Sequence, residues 1–378
     1  MIKVEIGPKH RSYPVYLQKG ILESVGAMLA RHHSACPVLL ITDKNVSEHY
    51  AGICRQSLLR EGFKPFTVVL EGGEGDKSLH SASRLYSFAL EEGLDRSSVV
   101  MALGGGVIGD LAGFVAATYM RGIPFVQVPT TLLAMVDSSI GGKVAVNHPR
   151  GKNLIGAFYQ PLMVLTDLDT LKSLPPREFS AGLAELVKYG IILDESLFEQ
   201  FEHFAQRSAA QGESRGNIFL SLDNHRLLKL ITKAVLLKGN IVTRDEKEEG
   251  LRRILNFGHT FGHALEQATS YEYYLHGEAV AVGMMAATRL AVSMDIIEVK
   301  TARRILNLLI KLNPPPPPRG LTLEAVAKAL MADKKKEGDD LVFILPSKIG
   351  KTVICKSPPL KYVEGAMNDY FRQQRAVR

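Results

Sequence analysis

The chain has 378 residues, 46% of them hydrophobic, more than one core usually holds, and no uninterrupted apolar run reaches the ~18 residues of a membrane span. Its net charge of +7 is spread along the chain apart from Lys334–Lys336 and the tail 372–378; with no tryptophan and no basic stripe interleaved with aromatics, this argues against nucleic acid and for an anionic small molecule as partner. Cys36, Cys54 and Cys355 are scattered and odd in number, which suits a reducing, cytoplasmic setting, and the first residues lack the apolar core of a signal peptide.

Short apolar runs at 37–42, 66–70, 98–103, 125–128 and 163–166 read as strands. Helical patterns at 45–60, 78–92 and 106–120 lie between them. Strands separated by helices of this length predict an α/β domain with a parallel sheet over 1–175, binding its ligand at the carboxyl ends of the strands. After Pro175-Pro176 the pattern turns helical: 177–193, 197–206, 224–238, 254–269, 278–294 and 301–312. The remainder, 176–378, is therefore expected to be a mainly α-helical domain. Pro314–Pro318 cannot continue a helix and reads as a stiff, extended connector. Beyond it come a helix at 321–331, a hairpin of 341–345 and 352–355 turning at 348–350, and a last helix at 360–372.

Four stretches carry chemistry. Gly104-Gly-Gly-Val-Ile-Gly109-Asp110 follows a strand and opens a helix, with the glycine spacing of a dinucleotide loop. The acidic residue expected ~20 positions later is missing, so a phosphate-bearing ligand is expected in a different arrangement. Asp43 and Asn45 end one strand, and Glu74 and Lys77 end the next. Each alone reads more readily as a helix cap; together, at successive strand ends, they point to a ligand.

The run from Val128 to Lys143 places Asp137 and Lys143 in an apolar setting beside a glycine pair; Lys152 and Asn153 follow and Arg121 precedes it. Lysine beside glycine suits an anion. Glu185 and Lys188 share one face of an apolar helix, where a carboxylate is costly unless paired or metal-bound. Finally, His259, His263 and His276 fall close together, each beside a glycine. His259 and His263 are one helical turn apart and on spacing alone form a pair. Glu185 with two of these histidines would make a three-ligand zinc site with an open position.

Taken together, Gly104–Asp110, the run from Arg121 to Lys143, Gly182–Gly190, Asn256-Phe-Gly-His-Thr-Phe-Gly-His263 and Leu275-His-Gly-Glu278 resemble the 3-dehydroquinate synthases, a sugar-phosphate cyclase family, over nearly the whole chain. The resemblance implies a dehydroquinate synthase-like fold, with 1–175 binding NAD and 176–378 binding metal and substrate. It implies conversion of 3-deoxy-D-arabino-heptulosonate 7-phosphate to 3-dehydroquinate and phosphate, the second step of the shikimate pathway. Bound NAD and a divalent metal, zinc with cobalt as the alternative, would assist, in a cytoplasmic homodimer with no nucleic-acid or membrane partner.

By motif, the metal ligands would be Glu185, His259 and His276, with His263 moving protons on the substrate. NAD would meet Asp43, Asn45, Glu74, Lys77, Gly105, Gly106, Val107, Asp110, Thr130, Thr131, Lys143, Lys152, Thr170, Leu171, Lys172, Ser173 and Glu178. Substrate would meet Asp137, Lys143, Asn153, Lys188, Lys238, Glu248, Arg252, Asn256, His263 and one lysine of Lys334–Lys336, with Arg121 reaching the substrate of a neighbouring subunit. The rivals are a cyclase acting on glucose 6-phosphate or sedoheptulose 7-phosphate, a metal-dependent NAD alcohol dehydrogenase, and a catalytically dead binding protein.

Overall fold

A computed structural model describes residues 1–8, 11–210, 222–334 and 340–376. Within it the chain forms two compact units, residues 1–175 with 223–248, and residues 176–222 with 249–378.

The first unit is built on a seven-stranded sheet. Its strands are β1 (Ile2–Ile6), β2 (Tyr13–Gln18), β3 (Pro37–Asp43), β4 (Lys64–Leu70), β5 (Val99–Gly104), β6 (Phe125–Pro129) and, after the separate hairpin of β7 (Lys143–His148) and β8 (Gly151–Phe158), β9 (Met163–Asp167). The order across the sheet is β1-β2-β9-β6-β5-β3-β4, parallel throughout except for the antiparallel edge strand β1. Strands β5, β6 and β9 are buried along their whole length because both faces are covered. Alternate residues therefore feed two cores. Leu39, Ile41, Val100 and Ala102 go to one, and Val38, Leu40, Val99 and Met101 to the other. The chain steps outward from β3 to β4, then returns to the other side of β3 as β5. This reversal places the carboxyl ends of β3 and β5 at the switch point where open α/β sheets bind ligands.

All five strands expected from the apolar runs are present. Strands β1, β2, β7 and β8 were not expected. Ile2-Lys-Val-Glu-Ile6 does alternate as an edge strand should, and its outward Lys3 and Glu5 pair at 2.7 Å. The expected helix 45–60 is a helical run with a π turn at Ser47–Ala51 before Gly52–Arg60.

The helix Asn224–Arg244 packs with the first unit rather than with the helices around it in sequence. Gly239 lies so close to β1 that an added Cβ would stand 3.0 Å from Ile6, and the Thr243 hydroxyl accepts from the Gly7 N–H at 3.1 Å. Helical periodicity shows that a face is apolar but not what will cover it.

The second unit surrounds the helix His276–Ser293, whose residues from Gly277 to Thr288 are all buried. The helices Pro176–Leu193, Glu195–Ala210, His259–Ala268, Val299–Lys311, Leu323–Lys334 and Leu360–Ala376 complete it, with the hairpin of β10 (Val342–Lys348) and β11 (Lys351–Lys356). The expected helix 254–269 divides in two. A 3-10 segment, Leu251–Asn256, stops before Gly258, which has φ +83, and a new helix starts at His259. The proline run is in neither helix nor strand. Tyrosine hydroxyls cap two of its carbonyls, Tyr370 on Pro315 at 2.7 Å and Tyr273 on Pro316 at 3.0 Å, so it is a braced connector.

Candidate active site

In the second unit three helices converge on one cluster. Glu185 lies midway along Pro176–Leu193, while His259 and His276 are the first residues of their helices. One ligand atom from each of the three lies within 4.8 Å of the others. His259 Nε2 is 3.8 Å and His276 Nε2 is 4.0 Å from Glu185 Oε1. His259 Nδ1 is 3.2 Å from the Phe257 carbonyl, which can only accept, so Nδ1 is the donor there, and a neutral ring then presents its Nε2 lone pair toward Glu185.

The glycines beside the histidines explain how the helices come so close. A Cβ on Gly277 would stand 1.9 Å from the Ala181 carbonyl oxygen, on the helix that carries Glu185. One on Gly262 would be 3.1 Å from the Ala279 oxygen, and one on Gly258 would be 2.5 Å from Met284. The first turn at His276 is locked further by Glu278. It accepts from the Leu275 N–H at 2.9 Å and takes a two-pronged bond from Arg177 at 2.7 and 2.8 Å.

Glu185 is fully buried and ion-paired with Lys188, itself 1% exposed; among the described residues its carboxylate oxygens have no hydrogen-bond partner beyond that ion pair. A buried carboxylate facing two imidazole nitrogens is the donor set of a three-ligand divalent-metal site. The residues fit such an ion. His263 is exposed, with its ring centroid 5.4 Å from that of His259 and 6.0 Å from that of His276. A second group of possible ligands, His263, Glu266 and His276, shares His276 with the first. Arg252, 2% exposed, and Asn256 lie on the 3-10 segment just before His259. Glu178 is also in this unit, and burial, with Glu278 nearby, holds its carboxyl above the ordinary range.

In the first unit the strand ends expected to bind a ligand are joined by hydrogen bonds. Lys77, 5% exposed, donates to Asp110 and to Asn153, both at 2.5 Å. Asn147, which no motif marks, ties the loops together. Its side chain donates to Glu74 at 2.8 Å and accepts from the Asn153 N–H at 3.0 Å, and its own N–H bonds the Lys77 carbonyl at 2.7 Å. Lys152 is 3.7 Å from Glu74.

Burial raises the Asp43 and Asp110 carboxyls, in the latter against the opposing pull of Lys77. Asp43 caps the helical run after β3 by accepting from Val46 at 3.2 Å. Gly105 and Gly106 open the helix Gly106–Thr118 directly after β5, and the first-turn amides of a helix lack acceptors within it. The Thr130 hydroxyl, just after β6, is buried and has no hydrogen-bond partner among the described residues, as suits a group that meets a ligand. Thr131 lies beside Gly105. Thr170, Leu171 and Lys172 form a 3-10 turn after β9, and Ser173 bonds the Tyr50 hydroxyl at 2.7 Å.

The charged substrate candidates of this unit, Asp137, Lys143, Lys238 and Glu248, occur as ion pairs. Lys238 grips Asp137 through both its carboxylate, at 2.6 Å, and its carbonyl, at 2.7 Å; Lys143 contacts Glu248. Arg121 is exposed with φ +67. Lys334 ends its helix, and Lys335 and Lys336 lie outside the described residues.

The N-terminal 3-dehydroquinate synthase family model matches residues 67–181, and the C-terminal model matches residues 182–336. The 3-dehydroquinate synthase of Desulforamulus reducens is 48% identical, over 94% of this chain and 96% of its own. That of Acaryochloris marina is also 48% identical, over 89% and 88%. The chain belongs to the 3-dehydroquinate synthase family.

The fold is that of the sugar-phosphate cyclases to which this family is related. A 2-deoxy-scyllo-inosose synthase, solved with carbaglucose-6-phosphate, NAD+ and Co2+, superposes with TM-score 0.85 at 27% identity, covering 97% of this chain and 99% of that one. The 2-epi-5-epi-valiolone synthase of Streptomyces hygroscopicus, solved with NAD+ and Zn2+, gives TM-score 0.85 at 26% identity, with 97% and 98% covered. A glycerol dehydrogenase from Schizosaccharomyces pombe, at TM-score 0.64 and 15% identity, shares the fold alone.

Proposed function

We propose that this protein converts 3-deoxy-D-arabino-heptulosonate 7-phosphate to 3-dehydroquinate and phosphate, using NAD and a divalent metal, with zinc or cobalt as the ion. The observation that carries this reading is the buried Glu185 facing the Nε2 atoms of His259 and His276. It occurs in a chain 48% identical to a 3-dehydroquinate synthase over nearly its full length.

When bound, NAD takes up and returns a hydride, and the metal polarises substrate hydroxyls. The chain's own residues do the rest. Glu185, His259 and His276 hold the ion, with Lys188 sharing the charge of Glu185. Lys188, Arg252, Asn256, Asp137, Lys143, Asn153, Lys238 and Glu248 orient the substrate and offset its carboxylate and phosphate charges. His263 moves the proton. Asp43, Asn45, Glu74, Lys77, the Gly105–Val107 amides, Asp110, Thr130, Thr131, Lys143, Lys152, Thr170–Ser173 and Glu178 receive NAD.

The reading includes a homodimer, in which Arg121 reaches the partner's substrate, and a cytoplasmic setting. All three cysteines are free, and burial pushes the Cys36 thiol up to about 11 and that of Cys54 to about 12, which leaves both unreactive. Among the described residues no helix is long and apolar enough to cross a membrane.

Purified protein given zinc and NAD+ is expected to release phosphate from the heptulosonate phosphate with no net NADH. Phosphate released only from glucose 6-phosphate or sedoheptulose 7-phosphate would make it a different cyclase, and accumulating NADH with a polyol would make it a dehydrogenase. Asn147→Ala removes two hydrogen bonds that hold Glu74 and Asn153. At ~1 kcal/mol each, NAD+ is expected to bind roughly tenfold more weakly or worse. A fluorescence titration giving the wild-type Kd would remove Asn147 from the site.

A further inference from the structure

We propose that Glu266 is a positioning residue of the metal centre, acting through His276. The inference rests on the reading of Glu185, His259 and His276 as metal ligands. Glu266 lies seven residues after His259 and three after His263 on one helix, so all three share a face. It is 2% exposed, a position where a carboxylate needs a partner. Its Oε2 stands 3.5 Å from His276 Nδ1, at the outer edge of hydrogen-bond reach, while His276 Nε2 is 4.0 Å from Glu185 Oε1. The ring of His276 thus lies between two buried carboxylates, one beside each nitrogen.

The two carboxylates do different work. A proton on Nδ1 directed at Glu266 leaves the Nε2 lone pair directed at Glu185 and His259, where an ion can use it. An outer carboxylate of this kind sets the tautomer, fixes the ring and makes the imidazole a stronger donor. His259 gets the same service from the Phe257 carbonyl. His276 arrives from a different helix and its side chain is one-third exposed (33%), so it is held less by its surroundings than His259, at 13%. A charged partner on Nδ1 supplies the missing constraint.

The test is the Zn2+ affinity of apo-protein, measured by competition with a chromogenic chelator in wild type, Glu266→Gln, His276→Ala and the double variant. Glu266→Gln is expected to weaken Zn2+ binding by about 10- to 100-fold. It is expected to add nothing in the His276→Ala background and to leave NAD+ affinity and the apo melting temperature unchanged. Wild-type Zn2+ affinity in Glu266→Gln, alongside its loss in His276→Ala, would overturn the inference and leave the metal reading intact. An equal loss in both backgrounds, with or without a fall in melting temperature, would show that Glu266 acts on the fold and not through His276, and would also overturn it. If His263→Ala loses metal as well, Glu266 is itself a ligand and the positioning role fails. A wild-type protein that binds no Zn2+ sinks the metal reading, and this inference with it.

Discussion

His276→Ala is expected to lose bound metal, while His263→Ala keeps it and loses turnover. The two residues compete for the same role in sequence, since His263 stands one turn from His259 and His276 does not. In the structure, His276 directs Nε2 at the buried Glu185 from 4.0 Å, and His259 does so from 3.8 Å. Removing one of three ligands costs more than the 10- to 100-fold typical of an outer-sphere change, so Zn2+ affinity should fall by more than ~100-fold. His263 is exposed and adjacent, and in the proposed reading it touches substrate and is not one of the ligands grouped with Glu185. Its loss should lower kcat by roughly 100- to 10,000-fold, the range for a general acid–base group. Metal per chain after dialysis, measured by mass spectrometry, separates the two. Metal lost from His263→Ala but retained in Glu185→Ala would move the ion to the alternative group of His263, Glu266 and His276.

Gly283→Ala is expected to lower stability by about 2 kcal/mol or more, although alanine is the better helix former by ~1 kcal/mol. The new methyl would stand 2.0 Å from the Gly258 carbonyl oxygen and 2.8 Å from the Gly262 nitrogen. These are backbone atoms, so no rotamer change relieves the clash. The helix His276–Ser293 must instead move away from His259–Ala268. His259 and His276, the proposed ligands, open these two helices, so the displacement spreads them and Zn2+ affinity should fall together with stability. The control is Gly365→Ala, on the exposed surface of the helix Leu360–Ala376, where nothing lies within 4 Å of the added Cβ. That change should raise stability by up to ~1 kcal/mol and leave metal binding alone. Thermal melts should show Gly283→Ala lower by roughly 2 to 5 °C. A melt and a metal affinity equal to wild type would mean that the two helices have room the structure does not show.

Much of this was legible in the residues. The five central strands are apolar runs between turn residues, and that signal is strong where a strand is buried on both faces. The glycine-rich loop, the polar strand ends and the three histidines were all visible as motifs, and together they identified the family. Other features lacked a local signal. Asn147 is one polar residue among many until β7 brings it against the loop of Glu74. Glu266 could have been found at helical spacing from His259 and His263, but a glutamate at that spacing is usually just a solvated one.

The sequence by itself determined the five central strands and most of the helices, because period and turn chemistry are properties of neighbouring residues. It also supplied the donor atoms for a metal and the glycines for a phosphate. Only the tertiary structure decided how they group. It set Glu185 opposite the Nε2 atoms of two histidines on different helices, put Glu266 behind one of them, and docked the helix Asn224–Arg244 on the sheet unit. The physical reason is that these groupings depend on close backbone approaches, at Gly258, Gly277 and Gly283 around the histidines and at Gly239 where Asn224–Arg244 meets Ile6. Such contacts are made between segments far apart in the chain, and no periodicity within either segment encodes them.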